Sequence, residues 1–359
     1  MSLKQFKPML LPNELTGIAP DWEKRITNPS EWLYSQKFDG GRVELFADGT
    51  VKGRSLKEIP SVHIQAMAKD VMLMLQLKAH WIIEAEFYSP EMNFAEIMHF
   101  FRSEDVTSAK SVAKYKKLWE KTQGDPKKGW EFPGRSWEWC TIWHDSLKFY
   151  AFSFCDVTID VLTFESRIEF LELVLDSYKQ RMDGLKLDIV HIPQYTFEEL
   201  EELYQAYDQA IISGAEGLVV THKETIYKYG RYTLGANCVF KIKDDAHEWD
   251  GQIISVEEAT EAREGAEKTI NELGRSRTSQ LQEDRVPSGI AKAFLVRMDN
   301  GQEVSVCFNG YNVEEKKQML IDADQYVGRW IRFKGMLPVK EGGKPRHARF
   351  NRGNFRDDK

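Results

Sequence analysis

Cysteine is scarce in this chain, and long apolar runs are missing. Its four cysteines, Cys140, Cys155, Cys238 and Cys307, are widely spaced and form no Cys-x-x-Cys pair. This spacing argues against a disulfide framework and a structural zinc site, so we expect reduced thiols in the core. No apolar stretch approaches the roughly 20 residues that a membrane helix needs, and the N-terminal residues lack the apolar core of a secretory signal. We therefore expect a cytoplasmic protein without a membrane partner (in the host cytoplasm if the source is viral).

Positive charge is outnumbered, and the net charge is −7. This balance argues only weakly against a nucleic-acid partner, because binding depends on where the basic residues lie. Here they cluster, once over residues 110–128 (KSVAKYKKLWEKTQGDPKK) and once over residues 344–356 (KPRHARFNRGNFR). Two basic segments therefore remain candidates for contact with an anionic polymer.

A length of 359 residues suggests two domains rather than one. Strand-like and helix-like segments mix up to Lys243, and short β-runs follow, with a long polar insertion at about 258–288. We predict one domain over 1–243 and a second over 244–359, joined by the flexible-looking DDAHEWDG. Short strands over about a hundred residues are typical of a five-stranded barrel of the oligonucleotide-binding (OB) type, although other small β domains look similar.

Two short segments are predicted to be β-hairpins. Asp48-Gly49 and Asn300-Gly301 each separate two runs of alternating apolar residues. Both pairs supply the positive φ that a two-residue turn requires.

Two helices are predicted from their end signals. One runs from Ser166 to about Met182 and is closed by Gly184. Thr196 opens the other, with Glu199 three residues on as the second half of a capping box, and Gly214 is its expected C-cap.

The segment QKFDGGR, residues 36–42, is the first candidate for chemistry. Lys37 is followed by Asp39, two glycines and Arg42. Glycines permit a tight turn that brings backbone close to a ligand, and a lysine held beside other cations loses its proton more easily and becomes a nucleophile. A surface turn with scattered charges is the alternative, since Lys-x-Asp-Gly also occurs by chance.

Two strand-like segments downstream carry paired charges on one face. In WIIEAEFYSP, Glu84 and Glu86 lie on the same side of a strand, where paired carboxylates either hold a divalent cation or are simply solvated. In VFKIK, Lys241 and Lys243 share a face with an apolar residue. Burying two lysines is costly without an anionic partner such as a polyphosphate, and a solvent-facing strand is the alternative.

Two further segments read as buried strands. KFYAFSFCDV, residues 148–157, is a nearly continuous apolar run, as expected of a strand buried on both faces. Most of its aromatic residues are expected in the core, with one ring available to stack on a base. AEGLVVTH, residues 215–222, brings Glu216 and Gly217 to the start of an apolar strand.

In order, these segments resemble the nucleotidyltransferase signatures of ATP-dependent DNA ligases, and the resemblance covers nearly the whole chain. The Lys-x-Asp-Gly-x-Arg pattern of that family is met at residues 37–42. The later signatures fall on Arg54, Glu86, Tyr150 or Phe152, Glu216-Gly217, Lys241 and Lys243, and the terminal Arg356, Asp358 and Lys359. The resemblance implies an α+β protein: a nucleotidyltransferase (adenylation) domain with mixed and antiparallel sheets and helices, followed by a C-terminal OB-fold β-barrel. It is closest to compact bacteriophage ligases, so we expect no helical DNA-binding domain ahead of Lys37.

The resemblance also implies a reaction. Lys37 would take AMP from ATP and pass it to the 5′-phosphate of a nick, with Mg²⁺ (or Mn²⁺) at Glu86 and Glu216. The residues expected to bind the nucleotide are Ser35, Gln36, Arg42, Arg54, Glu86, Tyr150, Phe152, Glu216, Arg231, Lys241, Lys243, Arg356 and Lys359. Related ligases often have an acidic residue where Ser35 stands, so GTP remains an alternative to ATP.

Nicked duplex DNA is the expected partner, and we expect the chain to act as a monomer. The residues expected to contact DNA phosphates are Lys114, Lys116, Lys117, Arg275, Arg277, Arg349 and Arg352. An RNA ligase and a GTP-dependent capping guanylyltransferase are alternatives from the same superfamily, whereas an NAD-dependent ligase would need a cysteine cluster. A non-catalytic single-strand binder built on the barrel would not account for Lys37, Glu86 and Lys241 in one chain.

Overall fold

The computed structural model describes residues 6–12, 22–159, 161–181, 188–243, 247–279, 281–336 and 343–356. The chain forms two compact units, and the first ends at Lys243. Among the described helices, none combines the length and the apolar character needed to cross a membrane. All four cysteines are free thiols: Cys140 and Cys155 are buried, as predicted, but Cys238 and Cys307 are only partly buried.

The first unit contains two β-sheets and the longer helices of the chain. Its helices are α1 (Trp22–Arg25), α2 (Val62–Leu75), α3 (Phe94–Arg102), α4 (Ala109–Thr122), α5 (Phe164–Arg181) and α6 (Leu200–Ile212). Its strands are β1 (Trp32–Lys37), β2 (Gly41–Phe46), β3 (Val51–Gly53), β4 (Trp81–Tyr88), β5 (Lys148–Asp156), β6 (Ile189–His191), β7 (Gly217–His222) and β8 (Val239–Lys243). Short 3₁₀ turns lie at Pro29–Glu31, Pro126–Lys128, Trp139–Thr141 and Leu234–Ala236.

One sheet of the first unit has the order β3-β2-β4-β5-β6, and the other has the order β1-β7-β8. All pairs are antiparallel except β5 with β6. The larger sheet buries one face under α2 and α5, and the smaller sheet packs its apolar residues against α6. Residues 38–40 connect β1 to β2, so a short piece of chain joins the two sheets at the Lys-x-Asp-Gly segment.

Both predicted hairpins form, but with a different turn. Gly49 and Gly301 have φ values of +85° and +79°, whereas Asp48 and Asn300 are not in the positive-φ region. In the first hairpin, Gly49 N–H donates to the carbonyl of Phe46, and Phe46 N–H donates to the carbonyl of Thr50. This is the three-residue loop in which a glycine forms a bulge, so only one residue of each pair needs left-handed backbone.

The two predicted helices are present, with one corrected start. α5 covers the first, and its predicted end at Met182 and Gly184 lies outside the described residues. The second begins at Leu200, so the capping box at Thr196 is wrong. Tyr195 pairs with Tyr34 of β1 instead, and this pairing holds the chain extended where the box would have formed. Gly214, at φ +85°, follows the helix end as predicted.

β5 departs from the prediction of a strand buried on both faces. Exposed fractions alternate from Lys148 to Phe152, and only the second half is buried throughout. Tyr150 and Phe152 therefore lie on the partly open face of the larger sheet. The alternation leaves two rings available beside the charged residues of β2 and β4.

The second unit is built on a closed ring of five strands, β9 (His247–Ala262), β12 (Arg285–Met298), β13 (Glu303–Asn309), β14 (Trp330–Met336) and β15 (Arg346–Asn351). β14 pairs with both β9 and β15, and β13 pairs with β15 in parallel. Helices α7 (Val313–Ile321) and α8 (Ala323–Tyr326) lie between β13 and β14, and β16 (Phe355–Arg356) pairs with β14. The ring encloses its own apolar core. This order and the helix after the third strand are those of an OB-like fold.

Two segments predicted as irregular are β-structure. The polar insertion at 258–288 is largely a long hairpin, because β9 and β12 pair as far out as Ala262 and Arg285. A smaller hairpin of β10 (Lys268–Ile270) and β11 (Ser276–Thr278) follows at its tip. Most of DDAHEWDG belongs to β9, since residues 247–251 pair with β14; residues 244–246 lie outside the described part of the chain.

Candidate active site

The Lys37 side chain lies at the end of β1, where three distant parts of the chain meet. Its Nζ donates a hydrogen bond to one carboxylate oxygen of Glu216, and Lys243 Nζ donates to the other. The backbone also joins them, because Glu216 N–H donates to the Lys37 carbonyl over 2.8 Å. Burial alone would raise the pKa of Glu216, but the charges and hydrogen bonds of the two lysines lower it below its usual value. Glu216 is thus an ionised bridge between two cations.

Two glycines allow this approach. Gly217, at φ +145°, has no room for a side chain, because a Cβ there would lie 2.1 Å from the carbonyl oxygen of Ile242. At Gly40 a Cβ would lie 2.4 Å from the carbonyl oxygen of Phe87 and 3.0 Å from Cγ of Glu86. The absence of side chains therefore lets the β1–β2 connection run directly beside β4 and lets β7 begin against β8.

Glu86, the strand glutamate predicted for ribose or metal, lies on β4 directly opposite Arg42 of β2. Burial raises its pKa to about 7, although Lys37 and Arg42 act in the opposite direction. Among the described residues, its carboxylate has no hydrogen bond or ion pair. A partly buried carboxylate without a cation partner is unusual and marks this position as a place where a cation is favoured.

Arg42 is held by carboxylates that the sequence analysis did not single out for this purpose. It pairs with Glu84 and, over 2.9 Å, with Glu44, and both glutamates are fully buried. Its Nη1 donates to the carbonyl of Met9, and Tyr227 donates its hydroxyl hydrogen to Glu84 over 2.6 Å. Glu84 is therefore an anchor for Arg42. The prediction that Glu84 and Glu86 together hold a divalent cation is wrong for Glu84. The Arg-x-Glu pattern of β2 places Arg42 and Glu44 on the same strand face, so it could have predicted their ion pair.

These contacts shift the pKa values of Arg42 and Glu44. Burial disfavours the charged guanidinium, but Glu44 and Glu84 keep the pKa of Arg42 above its usual value. Burial also raises the pKa of Glu44, and the neighbouring Glu84 adds to that effect while Arg42 opposes it. One oxygen of each glutamate has no partner among the described residues.

Both candidate stacking rings are next to this group. Tyr150 lies directly opposite Glu86, with its ring centroid 5.2 Å from that of Phe38 and 5.5 Å from that of Tyr88. Phe152 lies beneath Arg42, whose guanidinium carbon is 5.2 Å from the ring centroid. Tyr150 is thus the ring next to the unpaired carboxylate of Glu86, whereas the ring of Phe152 is covered by the Arg42 guanidinium.

Other residues predicted for the nucleotide site are in varied surroundings. Ser35 is buried on β1, two residues before Lys37 and on the same face of the strand. Gln36 faces the other way and donates to Ser213 over 3.3 Å. Arg54 is exposed after β3, and Arg231 donates to the carbonyl of Leu11. Lys241 lies partly exposed on β8, on the strand face shared with Lys243.

The predicted terminal signature is only partly described. Arg356, in β16, forms an ion pair of 2.6 Å with Asp250 of β9, and Asp250 also accepts from Arg332 over 3.0 Å. Lys359 lies outside the described residues.

The residues predicted to contact DNA are not all free to do so. Lys114, Lys116 and Lys117 are all exposed on α4. The Lys114 ammonium lies 4.7 Å from the ring centroid of Tyr115, and the Lys116 ammonium lies 5.7 Å from that of Trp137. Arg275 and Arg277 are exposed on the β10–β11 hairpin. Arg349 is exposed on β15, but Arg352 is paired with Glu315.

A divalent cation fits this site only with help from a substrate. No group of three or more His, Cys, Asp or Glu side chains arranged to hold a metal is found among the described residues. Glu86 offers one unpaired carboxylate, while Glu216 is taken by two lysines. Mg²⁺ characteristically binds through one or two carboxylates together with substrate phosphates, and Glu86 suits that mode.

Comparison with known proteins identifies the family. The model of the ATP dependent DNA ligase domain matches residues 15–243, and no curated protein sequence matches the chain significantly.

A solved structure of a Lig E DNA ligase, described as binding DNA with a minimal scaffold, is 17% identical over 96% of this chain and 99% of that chain, with a TM-score of 0.56. The structure named Pmar-Lig_Pre is 16% identical over 97% of this chain and 68% of that chain, with a TM-score of 0.62. The Chlorella virus DNA ligase-adenylate is 15% identical over 98% of this chain and 99% of that chain, with a TM-score of 0.46. The first two share the fold of this chain. Because the family model spans well over half of the sequence, the protein belongs to the family of ATP-dependent DNA ligases.

Proposed function

We propose that this protein seals 5′-phosphate/3′-hydroxyl nicks in duplex DNA through an AMP group carried on Lys37. One observation supports the proposal above the others. The Lys-x-Asp-Gly lysine, the Glu-Gly glutamate and the second lysine of Lys-x-Lys are far apart in sequence, yet Glu216 binds Lys37 and Lys243 at once. A nucleophile, its orienting carboxylate and a phosphate-binding cation are thereby assembled in one place.

In the first step, the Lys37 ammonium loses a proton to solvent, and the neutral amine then attacks the α-phosphorus of ATP. A nitrogen–phosphorus bond forms, the bond to pyrophosphate breaks, and Lys37 gives up one proton. Glu216 already accepts a hydrogen bond from Lys37, so it is the described group positioned to take that proton. Lys243 and Lys241 supply positive charge to the phosphate oxygens as the bonds exchange.

In the second step, an oxygen of the 5′-phosphate attacks the phosphorus of the Lys37 adduct, the nitrogen–phosphorus bond breaks, and the departing Lys37 nitrogen takes up a proton. In the third, the 3′-hydroxyl attacks the activated 5′-phosphate, and AMP leaves. When Mg²⁺ is bound, it neutralises phosphate oxygens, and Glu86 would hold it. Arg42 is fixed by Glu44 and Glu84 and presents a rigid positive edge to ribose or phosphate.

The two units divide this work. Residues 1–243 form the adenylation domain, with Tyr150 stacking on the base beside Glu86, and residues 244–359 form the OB domain. DNA is bound through exposed cations that have no acidic partner among the described residues: Lys114, Lys116, Lys117, Arg275, Arg277 and Arg349. Such contacts are sequence-independent and weaken with salt. The protein acts as a monomer on nicked duplex.

Labelling with α-³²P nucleotides and magnesium, followed by denaturing electrophoresis, tests the proposal. ATP should give an acid-labile, base-stable adduct, and Lys37→Ala should lose it completely. Lys69→Ala removes an exposed lysine from α2 and should label like the wild type. Labelling of Lys37→Ala at the wild-type level would remove Lys37 from the reaction, and an adduct with GTP alone would place the protein among capping enzymes.

A further inference from the structure

The outward face of α4 carries a row of four lysines. Lys110, Lys114, Lys117 and Lys121 follow one another at intervals of four, three and four residues, and all four are exposed. At 3.6 residues per turn, this spacing places them within an arc of about 60° around the helix axis. We refer to these four residues as the lysine stripe.

The opposite face fixes the helix in this orientation. Tyr115 and Thr122 are buried, and Trp119 packs edge-on against the buried Trp130 with ring centroids 4.9 Å apart. Phe132 completes the same aromatic cluster. Rotating the helix to hide the stripe would expose these rings, so the stripe is a permanent part of the surface.

The stripe has no internal charge partner. None of its four lysines forms an ion pair with any described residue. Glu120, the one acidic residue on the helix, is three residues from Lys117, but no ion pair joins these two residues. Like charges three and four residues apart destabilise a helix by a few tenths of a kcal/mol per pair. An anion bound along the row would remove this repulsion.

We infer that the lysine stripe binds the sugar-phosphate backbone of the duplex substrate, an inference that rests on the proposed ligase function. At 1.5 Å per residue, the stripe is about 16 Å long, the axial rise of roughly five phosphates of one DNA strand. Lysine recognises phosphate as a point charge, so the stripe adds affinity without reading sequence.

Two other occupants fit less well. A protein interface has an apolar or aromatic centre, but the stripe itself contains only lysine. A membrane-bound helix inserts its apolar face into the lipid, whereas the apolar face of α4 is covered by the aromatic cluster. DNA phosphate matches a straight row of one charge without either feature.

Lys69 of α2 offers a matched control. Like the stripe lysines, it is exposed on a helix and forms no ion pair with any described residue. Lys117→Gln and Lys69→Gln therefore remove the same charge from exposed helix faces, one inside the stripe and one outside it.

The test is the salt dependence of binding to a nicked duplex whose nick lacks the 3′-hydroxyl and cannot be sealed. Each lost phosphate contact should reduce the slope of log K against log salt by about 0.9. Lys117→Gln should show this reduction, Lys69→Gln should keep the wild-type slope, and the variant with all four stripe lysines changed to Gln should lose about 3.6. Circular dichroism and thermal melts check that each variant remains folded.

Two results would overturn the inference: a fourfold variant with the wild-type slope, or equal losses for Lys69→Gln and Lys117→Gln. Wild-type self-adenylation, which needs no DNA, reports separately on the proposed function. A wild type that labels with ATP while the stripe variants bind DNA normally would leave the ligase proposal standing and remove only the stripe.

Discussion

At the scale of single residues, the site is organised by how each carboxylate is matched with cations. Glu216 has two lysines, Glu84 has Arg42, and Glu86 has no partner among the described residues. The consequence is visible in their pKa values, which the lysines lower for Glu216 and which burial raises to about 7 for Glu86. Three chemically identical carboxylates therefore have different roles: Glu216 bridges two lysines, Glu84 anchors Arg42, and Glu86 is left to accept a cation.

Replacing Glu86 should change both stability and activity with pH. The folded-state pKa of about 7 lies above the usual 4.5, so the folded chain binds this proton more tightly than the unfolded chain does. Stability is therefore lost as pH rises from about 4.5 to about 7. Glu86→Gln is uncharged throughout, and it should melt at a higher temperature than the wild type above pH 7 and lack this pH dependence.

The same change should lower self-adenylation at every pH, whereas wild-type self-adenylation should rise as pH increases through about 7 and the carboxylate ionises. Glu58→Gln removes an exposed carboxylate after β3 and controls for the loss of one charge. Thermal melts and labelling rates between pH 5 and pH 8 provide the measurements. If Glu86→Gln and Glu58→Gln gave the same melting profile, the raised pKa would not be the cause.

At the scale of elements, the site depends on strands approaching more closely than side chains allow. Gly217→Ala would place a Cβ 2.1 Å from the Ile242 carbonyl oxygen and force an L-residue to φ +145°. Gly214→Ala imposes positive φ (+85°) in open space, so it isolates backbone strain, which is about 1 kcal/mol. We expect Gly217→Ala to lower the urea midpoint clearly more than Gly214→Ala.

Gly217→Ala should also reduce self-adenylation, because β7 must shift and Glu216 shifts with it. Gly214→Ala should retain labelling in proportion to the fraction folded. Equal urea midpoints for the two variants would mean that the contact with β8 relaxes without cost.

Motif spacing singled out Lys37, Glu216 and Lys243, which the structure brings into contact. Lys37, Glu86 and Lys243 lie on strands, where a period of two determines the face. The same reasoning did not assign Glu44 and Glu84 to Arg42, because their pairing depends on the register of β2 against β4. It also placed the start of α6 too early, since Tyr195 is held by a strand distant in sequence. Local patterns report only local preference. The Arg42 ion pairs and the start of α6 depend instead on contacts between residues that are distant in sequence.

The long hairpin of the second unit shows the same limit. Its residues are polar and mostly exposed, so no apolar alternation marked them as strands. Backbone pairing between β9 and β12 continues beyond the barrel core, where main-chain hydrogen bonds rather than burial hold the ladder together. A pattern method based on hydrophobicity has no signal there.

At the scale of the whole molecule, the residues predicted for the reaction are distributed over two units. The Lys37 site lies entirely in the first unit, whereas Arg356 belongs to the second, where it is paired with Asp250. The family resemblance implies that the terminal signature acts on the pyrophosphate leaving group. For Arg356 to act in this way, its ion pair with Asp250 must give way to the nucleotide.

Arg356→Ala should therefore separate the first step from the last. In the proposed reaction, pyrophosphate leaves only in the step that adenylates Lys37, so a cation that stabilises it would be needed in that step alone. We expect self-adenylation to fall by at least tenfold, while sealing of a nick that already carries AMP on its 5′-phosphate stays near the wild-type rate. Arg332→Ala is the matched control, because it removes the other arginine bound to Asp250 and leaves Arg356 in place. Single-turnover rates for both reactions, with both variants shown to be folded, decide the matter. Equal loss of the two activities in Arg356→Ala, or the same defect in Arg332→Ala, would mean that Arg356 stabilises the barrel and has no separate part in the first step.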